Sequence, residues 1–425
     1  MKVLSHYLKI LLMIYVIIML VNTMLKFKIN ISKEEYDAFI NQHPFNNLLQ
    51  SYRWGIVKNQ SFTPYYLGLY KDEQLIATAL LLTKKILRFF TMFYICKGPL
   101  FLNYEEESFA FFQKELKHFA RKKQAILIKI APAEILCTYK PNEEECKEHP
   151  YQFLDTLYKK HHYITNPLSK DLNATIEPRI TMVTDLTKEP LLKGFHSSVK
   201  SSIKLCEKHC VEIMESDDLH IFYDLMVQTG KRDAFNIRPY SYFRHLKDSL
   251  QEQCKLFYAR LNIPKEYHQL QTMLKQFKQR LSIINDSTHH ECKDLNDQII
   301  KTENLLEQIL PYYEKNIDYL YLSSALMTYQ GNISYYLYAA SNNEVRGINA
   351  SSYLVYQTML DSQKNGYHYY DFGGVSGYQT KEEDPHHYGL YEFKRKFNTQ
   401  YYCRFMEYNY SNPLFLAILK AMGKI

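Results

Sequence analysis

The chain is poor in the residues that build the commonest cofactor sites. It has 13 glycines in 425 residues, one tryptophan, and eight cysteines without a single CxxC pair. Neither a GxGxxG fingerprint nor a P-loop is present, so nothing points to a dinucleotide oxidoreductase, a kinase or a P-loop nucleotidase. HExxH and GxSxG are also missing, which removes the motif basis for a zinc hydrolase or an α/β-hydrolase. Cys206 and Cys210 stand four apart, but no four-ligand zinc framework follows. The cysteines read as reduced and structural, the pattern of a cytoplasmic protein. His161-His162 and His386-His387 do not suggest a metal site. Neighbours in an extended segment point to opposite faces and cannot easily grip one ion.

What is present describes a folded protein of more than one domain. The apolar share is 46% and the charged share 23%, and one core seldom grows to this chain length. Thirty-eight tyrosines imply many aromatic-lined surfaces. A net charge of +7 permits an anionic partner without naming one. Ile10 to Val21 is an unbroken apolar run preceded by Lys2 and Lys9, short for a span of about 20 residues. Three readings stay open for residues 1–23: a mis-started chain whose first residue is Met24, a membrane-touching anchor, or a cleaved signal.

From Met24 the pattern is strand, helix, strand. Ser32 with Glu35 forms a capping box for a helix over Lys33 to Asn41. Tyr65–Tyr70 and Gln74–Thr83 predict two strands about the turn Lys71-Asp72-Glu73. Phe109, Phe112, Leu116 and Phe119 share one face of a helix over 105–123, and Ala125–Ile130 reads as a strand covered on both faces. The second half repeats this grammar: a hairpin of Ile333–Ala340 with Val345–Ala350, a helix over Ser351–Lys364, a strand over Tyr367–Phe372. Between the halves, Leu270, Leu274, Phe277, Leu281 and Ile284, then Leu295, Ile299, Thr302, Leu306 and Ile309, mark an antiparallel helical hairpin ended by Pro311. It is either a spacer or an arm that touches a large partner.

Several residues could carry chemistry. Asp371 ends an aromatic strand after Tyr370 and precedes Gly373-Gly374, where the backbone can turn or approach a ligand; the bland alternative is an Asx turn. Lys394 ends the next aromatic run. Lys58 stands four residues after Trp54, either a cradle for sugar and phosphate or a core indole with a snorkelling lysine. Lys200, Lys204 and Lys208 form one helical stripe that Ser197 or Ser198 could cap.

Three stretches together resemble the FemABX family of non-ribosomal peptidyltransferases, including its MurM and MurN branch. They are Gln50-Ser51 with Trp54 and Val57-Lys58; Lys97-Gly98-Pro99-Leu100; and Tyr370-Asp371-Phe372-Gly373-Gly374 with Gly389-Leu390-Tyr391-Glu392-Phe393-Lys394. The likeness runs from about Met24 to Phe405. It implies an α/β (α+β) fold of two acetyltransferase-like (GNAT-like) domains, at 24–165 and at 166–260 with 311–410, and an inserted antiparallel coiled-coil arm at 261–310. It also implies transfer of an amino acid from aminoacyl-tRNA to the stem-peptide lysine amine of lipid II, a lipid-linked peptidoglycan precursor. No cofactor or metal is expected beyond aminoacyl-tRNA as co-substrate, and the expected place is the cytoplasm with peripheral contact at the inner membrane face. By the same resemblance Lys394 and Asp371 are catalytic, while Lys58, Trp54, Lys200, Tyr370, Gly373 and Gly374 bind substrate. Lys200 stands where the family has an arginine, losing the bidentate fork. The alternatives are an acyl-CoA-dependent N-acyltransferase and a non-catalytic nucleic-acid-binding or scaffold protein.

Overall fold

The structure is a computed structural model that describes residues 24–86, 90–143, 146–284 and 290–411. The apolar run Ile10 to Val21 lies outside these residues. Among them no helix is long and apolar enough to cross a membrane. The chain divides into two mixed α/β units. Of the described residues, one comprises 24–134, Pro150–Leu168 and 405–411; the other comprises Ile135–His149 and Ser169–Arg404.

In the first unit the strand order is Leu25–Ile29, Thr63–Lys71, Gln74–Ile86, Phe90–Cys96, Ala125–Ala131, Tyr408–Ser411, Ile164–Thr165. Neighbours are antiparallel except Phe90–Cys96 with Ala125–Ala131, which a helix over Glu106–Lys122 connects in parallel. That helix buries Phe109, Phe112, Leu116 and Phe119, the face its spacing predicts. The Asp72-Glu73 turn has positive φ at both residues, the twist that suits a two-residue hairpin. Ser32 and Glu35 make the expected reciprocal cap.

Gln50 ties this unit together. It is fully buried; its amide nitrogen donates to the Cys96 carbonyl at 2.6 Å, and its oxygen accepts from Leu80 N at 2.8 Å. Ser51 then caps the helix Tyr52–Lys58 by accepting from Trp54 N.

The second unit has the order Val211–Glu215, Cys254–Asn262, Tyr319–Gln330, Ile333–Ser341, Tyr369–Gly374, Ile180–Asp185, Gln400–Arg404, Ile135–Tyr139, Lys147–Glu148. Again one neighbouring pair is parallel, Ile333–Ser341 with Tyr369–Gly374, joined through a helix over Ala350–Lys364. An antiparallel meander followed by a helix and a parallel strand is thus common to both sheets.

The structure corrects several expectations. Val345–Ala350 is not a strand; Ile333–Ser341 forms its hairpin with Tyr319–Gln330 instead, about Gly331 in a left-handed conformation. Pro311 does not end its helix, which runs from His290 to Glu314. Cys137 and Cys146 are joined in a disulfide, because the hairpin that pairs Cys137 with Glu148 folds the chain back on itself; the other six cysteines form no disulfide. Residues 135–149, expected within 24–165, add strands to the second sheet through the Cys403–Cys137 register, while Tyr408–Ser411 completes the first.

The helices Ile263–Ile283 and His290–Glu314 pack antiparallel. The Tyr267 and Tyr313 rings stack at 3.9 Å, and Lys278 pairs with Glu303 and Arg280 with Glu291. Glu266, fully buried, fixes their root by accepting from the His209 ring at 2.7 Å and from Cys210 N at 3.0 Å.

Replacing Gln50 by Ala leaves the Leu80 N–H and the Cys96 carbonyl without their buried partner. The expected loss is about 2–5 kcal/mol of stability, read by denaturant unfolding of the variant against the parent.

Candidate active site at a bulged strand end

The strand Tyr369–Gly374 alternates its side chains across the sheet. Tyr370 and Phe372 enter the hydrophobic core of the second unit. Tyr370 is 0% exposed, and its hydroxyl meets the Thr358 hydroxyl at 2.8 Å. It is a core residue, and the expectation that it touches substrate is withdrawn: alternation puts it on the face opposite Asp371.

Two irregularities open the strand at Asp371. The parallel ladder with Ile333–Ser341 has three pairs and stops at Tyr335 and Asp371. On the other edge, Val183 pairs with Asp371 and Thr181 with Gly374, so the strand carries one residue more than its partner over that interval. Such a bulge bends a strand and re-aims its side chains. Gly373 accommodates it at φ +75°, a conformation costly for residues with a Cβ. The Asp371 carboxylate accepts from Gly373 N at 2.7 Å, so the Asx turn is real as well. Gly374 is needed for room: a Cβ there would lie 2.4 Å from Pro178 Cγ.

Lys394 ends the short helix Tyr388–Lys394. It is 5% exposed, and its ammonium donates to the Gly374 carbonyl at 2.6 Å. The segment after it is tied down. Thr184 Oγ1 donates to the Phe397 carbonyl, His196 N to that of Lys396, and Asn398 turns the chain in the left-handed region. Burial lowers the Lys394 pKa to about 7, with the negative charge of Asp371 opposing the fall. The site therefore holds a cation that exchanges its proton near neutrality, one carboxylate within its field, and a backbone carbonyl in contact. This is an arrangement for electrostatic and proton-transfer chemistry.

Asp371, Gly373, Gly374 and Lys394 are thus brought together. Lys200 is half-buried and its ammonium donates to the Lys193 carbonyl. The cap of its helix is His196, accepting from Ser198 N, and not Ser197 or Ser198. Trp54 and Lys58 belong to the first unit. The indole is 4% exposed and the Lys58 ammonium stands 4.7 Å from its ring centroid, a core tryptophan with its lysine held beside it. Among the described residues no cluster of three His, Cys, Asp or Glu could hold a metal.

Sequence reasoning missed two contributors. The hairpin after Ile135 reaches the loop ahead of Lys394, with Asn142 N donating to Gln379 Oε1 at 2.6 Å and Tyr391 nearby. Asp384 holds His387. A histidine three residues after an acid was the signal available for the second; nothing local announced the first.

A two-unit α/β protein with a buried lysine at a bulged strand end is the class that fold and site define. The model of the FemAB family matches residues 31–420, and this chain belongs to that family. It is 30% identical over 413 residues to a lipid II:glycine glycyltransferase of Staphylococcus aureus, covering 92% of this chain and 94% of that protein. The crystal structure of FemX superposes with a TM-score of 0.74 at 26% identity, covering 93% of this chain and 99% of that one.

A methionine at position 394 would remove the buried cation. In the wild type the Lys394 pKa is depressed on folding, so the unfolded chain binds more protons between pH 7 and about 10.5. Wild-type stability should therefore rise through that window. Lys394→Met should melt higher than wild type at pH 6, with the advantage shrinking toward pH 10. Melting curves across that range test it.

Proposed function

We propose that this chain moves an amino acid from aminoacyl-tRNA to the stem-peptide lysine amine of lipid II, building interpeptide branches of peptidoglycan. The observation that carries the reading is Lys394, buried at the bulged strand end of a FemAB-family chain with its pKa near 7. The likeness to a lipid II:glycine glycyltransferase over nearly the whole length supports the substrate class.

An aminoacyl ester is already activated. Amide formation asks only for a neutral amine, a held ester and charge stabilisation on the tetrahedral oxygen. Lys394 in its protonated form supplies that charge, and an approaching oxyanion raises its pKa back toward the charged state. Asp371 keeps the cation accessible and orients the amine. Gly373, with open space at its α-carbon, lets the substrate approach the backbone, whereas the space at Gly374 is filled by Pro178. In the first unit Lys58, over the Trp54 face, binds precursor phosphate; in the second unit Lys200 is a separate contact for an anionic group of the substrate.

Each unit reads as acetyltransferase-like, the first formed by 24–134, 150–168 and 405–411, the second by 135–149 and 169–404, with the helices Ile263–Ile283 and His290–Glu314 as a coiled-coil arm. The shared sheet order supports the duplication of one unit. The enzyme works from the cytoplasm in peripheral contact with the inner membrane face. At the root of the arm a groove of about 950 Å³ includes Lys208, Lys301 and Arg346 in its lining, beside Glu307 and Glu344. This supports the arm as a partner-contact element in addition to a spacer.

Incubation with lipid II and a mixture of labelled aminoacyl-tRNAs should give lipid II heavier by one amino acid. No mass gain with any aminoacyl-tRNA rejects the function. Lys394→Ala should cut kcat by about 10²–10³-fold while lipid II affinity stays within about twofold; equal turnover removes Lys394 from catalysis. Lys58→Ala should weaken lipid II binding by about tenfold, a loss on the scale of one charge-assisted contact. Unchanged affinity in a direct binding titration removes the phosphate role.

A further inference from the structure

The loop between the strand end and the Lys394 helix carries a second ionisable pair. The ring Nδ1 of His387 lies 3.0 and 3.1 Å from the two carboxylate oxygens of Asp384. Asp384 is itself fixed: its Oδ1 accepts from His387 N, its carbonyl from Tyr388 N, and its own N–H donates to the Thr380 carbonyl. The carboxylate side chain is 12% exposed and the imidazole 32%.

The helix does not require this imidazole. His387 is the N-cap residue of Tyr388–Lys394, yet its side chain makes no capping hydrogen bond. It turns back to Asp384 instead. A carboxylate accepts, so Nδ1 carries the hydrogen and Nε2 keeps its lone pair. An imidazole held in one tautomer by a carboxylate is a proton acceptor at the other nitrogen.

The reaction proposed above needs such a group. The attacking lysine amine is an ammonium at neutral pH, and the nitrogen must shed a proton as the C–N bond forms. The leaving ribose oxygen must gain one as the ester C–O bond breaks. Lys394 is buried on the Gly374 carbonyl, and an Asp371 oxygen is engaged by Gly373 N. The Asp384–His387 pair lies between these two residues in the chain, at the other end of the Lys394 helix.

Resting on the transfer reading, we propose that His387, positioned by Asp384, is the proton shuttle of this enzyme. The ammonium gives its first proton to solvent before it attacks; Nε2 takes the second, shed as the C–N bond forms, and returns it to the ribose oxygen as the ester C–O bond breaks. The charged and titratable groups around the ring are few in the described contacts. Asp384 touches it, and Tyr388 follows it in the helix. Burial pushes the Asp384 carboxyl up, but the Ser376 hydroxyl and the His387 hydrogen bonds outweigh this and hold it low. Glu383, one residue before Asp384, is occupied by Thr380 and within the field of Lys170.

The test uses full-length protein, lipid II and an aminoacyl-tRNA that the wild type accepts. His387→Ala is expected to lose about 10²–10³-fold in kcat, with KM for both substrates within about threefold. Its pH–kcat profile should lose a limb that the wild type shows, and added free imidazole should restore at least tenfold. Asp384→Asn should lower kcat less and shift that limb. His387→Gln, which keeps the ring volume roughly filled, guards against a folding defect and should be as slow as His387→Ala at unchanged melting temperature. If His387→Gln turns over within twofold of wild type, or if the variants keep the wild-type pH profile, the proposal is overturned. Wild-type protein that transfers nothing rejects the transfer reading itself, a result distinct from active variants.

Discussion

A single buried ammonium organises the second unit. Lys394 is placed where solvation cannot stabilise its charge, and it is held there by one backbone carbonyl and the field of one carboxylate. Burying a cation in this way is costly unless neighbours compensate. The compensation is built from strand irregularities: a parallel ladder that ends early, a bulge, and two glycines doing different tasks. Gly373 supplies a conformation and Gly374 supplies space. The Gly374 carbonyl, just past the bulge, is the acceptor that the lysine uses.

The first unit is built the other way. Its parallel ladder runs over Thr91–Cys96 with Ala125–Ala131, its register shift falling at the Thr91/Met92 start, and Gln50 bridges two of its strands from a fully buried position. The sequence Gln50-Ser51 and Trp54 with Lys58 is then largely structural, a buried amide, a helix cap and a core indole, with only the lysine ammonium left as a feature that a ligand can use. Similar strand orders in the two units therefore do not mean similar sites. The opening lies in one, the closed sheet in the other.

Much of this was readable before any coordinates. Helix faces such as Phe109, Phe112, Leu116 and Phe119 follow from periodicity, because one side of a helix must bury its apolar stripe. The Ser32–Glu35 cap follows from local hydrogen-bond demand. The grouping of Asp371, Gly373, Gly374 and Lys394 was visible because all lie within one short stretch. Tyr370 was misassigned because its aromatic character suggests binding, while strand parity, which sends it to the core, depends on which face the sheet buries. The hairpin partner of Ile333–Ser341 was misread because Val345–Ala350 has strand-like composition, and only the competition with Tyr319–Gln330 decides the pairing.

By itself, then, the sequence determined elements whose causes are local: helix stripes, caps, turns and the run of residues from Asp371 to Lys394. Tertiary structure alone decided which sheet took residues 135–149 and Tyr408–Ser411, that Cys137 and Cys146 bond, and that Lys394 is buried with a lowered pKa. The reason is physical. Strand pairing over long separations and desolvation of a charge depend on what surrounds a residue in space, and neighbours along the chain carry no record of it.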